Sequence, residues 1–186
     1  GTHFAFDSER CVLSAAWTGD FAEIGGWFDN GRGTPVDNAL KPLGKMIWRA
    51  SAESRSFAAD GADPAFVPSM KFSAAWGSAK DSGFSYAVEV LPDKFLQVEE
   101  RLVPSTDGFE RQFTLQTDDD LPTVRLALTD GKWNGEVSLA ASESAKVVDG
   151  AGDVPELVVE KLAAKTPRSF AVHYKLPARA EKAEKK

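Results

Sequence analysis

Three consecutive segments constrain this chain more than any other part of it. Phe84-Ser-Tyr-Ala-Val-Glu-Val-Leu91 stops at Pro92-Asp93, and Phe95-Leu-Gln-Val-Glu-Glu-Arg-Leu-Val103 follows. After the turn Pro104-Ser-Thr-Asp-Gly108 comes Phe109-Glu-Arg-Gln-Phe-Thr-Leu115. Proline presets φ and Asp-Gly permits φ > 0, so the turns fold the segments into an antiparallel meander. Alternation places Phe84, Tyr86, Val88 and Val90 on one face and Ser85, Ala87 and Glu89 on the other. One face is therefore packed and the other meets water.

The same cadence continues to the C-terminus. Thr123–Leu128, Glu136–Ala140, Ala145–Val148, Glu156–Leu162 and Ser169–Leu176 read as short strands divided by Gly, Asp and Pro. Near the start, His3–Phe6 and Arg10–Ala16 read as a hairpin around Asp7-Ser8, and no segment holds a helical period over three turns. The expected fold is all-β, an antiparallel β-sandwich of jelly-roll or supersandwich-like type with a long aromatic N-terminal loop region. That region, up to Phe66, carries Trp17, Phe21, Trp27, Phe28, Ile47 and Trp48, side chains that tie a loop down.

With 186 residues, 42% of them hydrophobic, and five tryptophans, the chain has enough material for one core. The expected organisation is a single sandwich domain over 1–177 and a charged tail or linker over 178–186. A net charge of -6 offers no basic field to a phosphate backbone, so nucleic acid is not an expected partner. No apolar run reaches the roughly 20 residues of a membrane span. The chain opens on Gly1-Thr2 and passes at once into strand-like sequence, as a mature fragment or an excised domain with its leader upstream would.

Catalytic motifs are missing: there is no G-x-S-x-G, H-E-x-x-H, Walker loop or dinucleotide fingerprint. Cys11 is the lone cysteine, read as a small buried hydrophobe, and only His3 and His173 could serve a triad or a histidine metal site. No cofactor is expected in the chain itself. Carboxylates are plentiful, and the catalytic candidates among them are Asp20, Glu23 and Asp29, against a reading as solvated loop acids or caps. Asp118, Asp119 and Asp120 are the candidate hard-oxygen metal ligands, against a reading as an exposed turn.

The stretch Trp17-Thr-Gly-Asp-Phe-Ala-Glu-Ile-Gly-Gly-Trp-Phe-Asp-Asn-Gly-Arg-Gly-Thr34 carries the more specific signal. Sugars lay apolar C–H faces on aromatic rings while Asp, Asn and Arg bond their hydroxyls. Trp17, Trp27, Asp29, Asn30 and Arg32 supply those types in one loop, with Trp17 read also as an anchor of the loop to the sandwich.

Phe6-Asp-Ser-Glu-Arg-Cys-Val-Leu-Ser-Ala-Ala-Trp-Thr-Gly-Asp-Phe21, the turn Asn30-Gly-Arg-Gly33 and Leu43-Gly-Lys-Met-Ile-Trp48 together resemble a β-rich module of large secreted bacterial multidomain proteins. Those proteins also carry c-type cytochrome and sugar-dehydrogenase-like domains. The resemblance covers residues 4 to 48. It implies a periplasmic or extracellular β-sandwich serving oxidative carbohydrate metabolism, with haem on a partner domain or subunit, and it supplies no catalytic residue.

Three functions follow in order. The first is a non-catalytic accessory domain that binds carbohydrate, or docks a neighbouring cytochrome c-type domain, through the loop from Trp17 to Arg32. The second is a hydrolase or lyase using Asp20, Glu23 or Asp29 with Arg32. The third is a structural domain that docks a redox partner.

Overall fold

The computed structural model describes residues 1–20, 22–24, 40–50, 54–78, 80–129, 135–140 and 144–176. The expected tail, 178–186, and the core of the aromatic loop lie outside them. The chain is all-β and antiparallel. Its strands are β1 (Thr2–Asp7), β2 (Val12–Thr18), β3 (Ala22–Ile24), β4 (Leu40–Pro42), β5 (Lys45–Arg49), β6 (Ala58–Ala59), β7 (Met70–Gly77) and β8 (Ser82–Leu91). They continue as β9 (Lys94–Pro104), β10 (Gly108–Thr117), β11 (Val124–Ala127), β12 (Glu136–Leu139), β13 (Ala145–Asp149), β14 (Pro155–Val159) and β15 (Arg168–Lys175).

A six-stranded sheet in the order β12-β15-β10-β9-β8-β7 forms one layer. A four-stranded sheet, β13-β14-β11-β6, and a three-stranded sheet, β1-β2-β5, pack against it, and β3 pairs with β4. The meander stands as read: β8 pairs with β9 and β9 with β10. Tyr86, Val88 and Val90 enter the core, and Phe84 packs on its margin. Aromatic contacts join the layers, with Phe6 stacked on Phe84 at 4.1 Å between centroids and Phe4 edge-on to Phe109 at 5.4 Å.

The first hairpin turns where Asp7 Oδ1 accepts from the backbone N–H groups of Glu9 and Arg10, while Arg10 Nε donates to Oδ2 at 2.7 Å. Cys11 then takes φ of 51° and turns its thiol into the core, donating weakly to Ser8 O. Burial, reinforced by Asp7, pushes that thiol up to about 11. Two features of the fold exceed the sequence reading. The stretch before Phe66 contains β3 to β6, and β7 is a full strand of eight residues. An irregularity between Phe72 and Ala74 inserts Ser73 out of step, which breaks the period-two pattern that marks a strand.

Candidate functional site

The expected site residues divide among three places. Trp27, Asp29, Asn30 and Arg32 lie outside the described residues, and Glu23 is placed only as backbone of β3. Trp17 is fully buried, and its indole Nε1 donates to Asp20 O at 3.1 Å while its ring meets His3. An indole with no exposed surface has no face for a sugar, so of its two readings Trp17 takes the anchor. Asp20 is exposed beside it.

Asp118, Asp119 and Asp120 form an exposed turn after β10 in which Thr117 Oγ1 donates to Asp119 O and Asp120 Oδ1 accepts from the Ala164 N–H. Among the described residues, no group of three His, Cys, Asp or Glu side chains is arranged to hold a metal ion.

Sequence reasoning missed a buried polar chain on the inner face of the large sheet. Tyr86 on β8 stands opposite Val98, two residues before Glu100 on β9. Glu100 stands opposite Phe113, two residues beyond Arg111 on β10, and Arg111 stands opposite Val172, two before Tyr174 on β15. Each step is a diagonal cross-strand neighbour, a separation long side chains can bridge.

Tyr86 OH donates to Glu100 Oε2 at 3.1 Å, Arg111 Nε donates to Glu100 Oε1 at 2.7 Å, Arg111 Nη1 donates to Tyr174 OH at 3.1 Å, and Tyr174 OH donates to Leu128 O at 2.9 Å. Burial opposes the guanidinium charge, but Glu100 and the phenol of Tyr174 outweigh it and raise the Arg111 pKa. Burial also raises both tyrosines, Tyr86 further under the Glu100 charge.

The chain borders a cavity of about 10 Å³ whose walls include Cys11, Trp48, Ser54, Arg55, Arg111 and Thr129, room for about one water molecule. A saccharide does not fit there. The network ties four strands of the large sheet to the segment after β11 through the Leu128 carbonyl.

The opposite, outer face of the same sheet is accessible. Trp76 on β7, Gly83 on β8, Arg101 on β9, Gln112 on β10 and Ala171 on β15 are successive cross-strand partners and so form one row. The Trp76 indole rests on Gly83, where an added Cβ would stand 2.2 Å from Cζ2, and 39% of Trp76 remains exposed. A Cβ at that point would push the ring off its seat, because the indole occupies the space of a side chain.

Beside it, Arg101 Nε donates to Asp81 Oδ2 at 2.7 Å, Nη2 reaches the same oxygen, and Ser78 Oγ donates to Asp81 Oδ1 at 2.7 Å. This pairing holds the half-buried Asp81 carboxyl below its usual range, the Ser78 hydroxyl contributing first and Arg101 next.

The neighbouring row is Ala74, Ser85, Glu99, Thr114 and Ser169, with the Thr114 and Ser169 hydroxyls 3.0 Å apart. A further row holds Glu110 against His173 at 3.0 Å. The result is a largely polar sheet face with the Trp76 plate at its edge and the Phe95 ring, under Lys71, further along. In comparisons with protein families, curated proteins and solved structures, the chain matches none.

Proposed function

We propose that this chain is a non-catalytic accessory β-sandwich that binds carbohydrate on the outer face of its six-stranded sheet. The observation that carries this reading is the seat of Trp76 on Gly83 beside the Arg101–Asp81 pair. An indole backed by main chain keeps a face toward solvent without rearrangement, and apolar C–H faces of a pyranose stack on such a plate. Arg101, Asp81, Gln112, Thr114 and Ser169 bring donors and acceptors for hydroxyl groups within the adjoining rows.

The loop residues Trp27, Asp29, Asn30 and Arg32 belong to the same proposal as a second contact region. The resemblance of residues 4 to 48 supports an extracytoplasmic setting beside a cytochrome-type domain, with any haem held by that partner.

Isothermal titration of the full chain against soluble polysaccharides, paired with tryptophan fluorescence, tests the reading. Saturable binding that Trp76→Ala removes without lowering the thermal midpoint is the expected result. Absence of heat and of spectral change across both neutral and acidic polysaccharides overturns it. Turnover lost on Asp29→Asn or Glu23→Gln would instead support the hydrolase or lyase alternative.

A further inference from the structure

The carbohydrate reading leaves the class of sugar open, and the charges around Trp76 select one. Resting on that reading, we infer that the outer face takes neutral glycans lying across the strands from Trp76 toward Gln112, and discriminates against uronate and sulfated polymers.

Arg101 is the cation of the Trp76 row. Its Nε and Nη2 both engage Asp81 Oδ2, so its charge is balanced within the protein. Asp81 is itself fixed by the Ser78 hydroxyl and by the turn in which Ser78 N donates to Asp81 O. A carboxylate or sulfate ester arriving at the plate meets a guanidinium whose charge Asp81 already balances, so it gains less there than from an unpaired arginine.

The next row adds a negative charge. Glu99 is exposed between Ser85 and Thr114, its cross-strand neighbours. Around the plate, Arg101 and Lys80, the two cations that act on Asp81, offset Asp81 and Glu99, so no net positive charge is left there. Further along, Glu110 faces His173, while Lys71, the cation of β7, lies over the Phe95 ring at 4.5 Å. An anionic polymer gains no net cationic field there, whereas a neutral sugar meets hydroxyls, an amide and an ion pair whose outer lone pairs and N–H groups suit O–H donors and acceptors.

The direction of the ligand follows from the row. Trp76, Gly83, Arg101 and Gln112 are separated by three inter-strand steps of about 4.8 Å, or about 14 Å in all. The indole covers Gly83, and Arg101 and Gln112 follow it directly, so a chain crossing the strands passes from the aromatic plate onto polar side chains.

The test is a competition titration of the full chain against a neutral soluble glucan or mannan and against polygalacturonate or a sulfated galactan, repeated on Trp76→Ala and Asp81→Asn. The expected result is binding to a neutral polymer, acidic polymers weaker by about tenfold or more, and loss of neutral binding in Trp76→Ala.

Asp81→Asn keeps the hydrogen bond to Ser78 and releases the Arg101 charge. It should raise affinity for the acidic polymer and make that gain salt-dependent. Tighter binding of the wild type to acidic polymers, lost in Trp76→Ala, overturns the neutral-glycan inference and leaves the carbohydrate reading standing. Binding to neither class overturns both.

Discussion

Arg111 Nε donates to Glu100 Oε1 across 2.7 Å inside the sandwich, with the two side chains only 4% and 0% exposed. Removing either partner strands the other away from water. Arg111→Met and Glu100→Leu should each lower unfolding free energy by about 3–5 kcal/mol, whereas the double variant should lose less than either single one. Urea denaturation of the four proteins measures this cycle. Single losses that simply add in the double variant would show that the pair is not coupled.

Alkali should weaken the fold before it affects chemistry. Burial, then the Asp7 charge, raises the Cys11 thiol from 9.0 to about 11. Both states are protonated below pH 9. Between pH 9 and 11 the unfolded chain gives up its proton first, so stability falls by roughly 2–3 kcal/mol and this contribution is exhausted above 11. Tyr86 and Tyr174, both raised, push the same way at higher pH. Cys11→Ala should therefore flatten the decline between pH 9 and 11 in chemical denaturation, whatever its stability at pH 7. A decline equally steep in the variant would remove Cys11 as its source.

Two glycines should respond differently to the same added methyl group. At Gly108 a Cβ would stand 1.8 Å from the Tyr174 carbonyl oxygen, a main-chain atom held by the β10–β15 ladder. Gly108→Ala should cost about 1–3 kcal/mol or more, because the strands have to separate. At Gly83 the obstacle is the Trp76 ring, which can swing out from an edge strand. Gly83→Ala should leave the melting temperature nearly unchanged and still abolish glycan binding. A stable Gly83→Ala that binds as the wild type does would separate the plate from the function.

Trp17 provides the contrast with Trp76. Its ring is fully buried and its N–H is taken by Asp20 O, so Trp17→Ala should cost about 3–5 kcal/mol by truncation of a core aromatic. Trp76→Ala, at an exposed position, should cost far less. Thermal melts of the two variants compare them directly.

Much of the sandwich was legible because alternation in β8, β9 and β10 runs unbroken and their turns carry Pro-Asp and Asp-Gly. The β7 strand was hidden by Ser73, which shifts Phe72 and Trp76 onto opposite faces and conceals the period.

The buried pair left a readable trace. Glu100 falls in phase with Leu96, Val98 and Leu102, and Arg111 in phase with Phe109 and Phe113, so each is a charge in an apolar register. Which partner each meets depends on the offset between strands, and that is a property of three-dimensional pairing. The same holds for Trp76, whose plate exists only because Gly83 lies opposite it.

Amide and indole NMR gives the most direct test of the binding surface. The indole N–H signals of the five tryptophans can be assigned by single substitutions and followed while a neutral oligosaccharide is added. The account predicts a saturable shift of the Trp76 signal, with the backbone amides of Gly83, Arg101 and Gln112 moving alongside it and the Trp17 and Trp48 indoles still. Saturable binding that moves the Trp27 indole and leaves Trp76 and its row unmoved would contradict it.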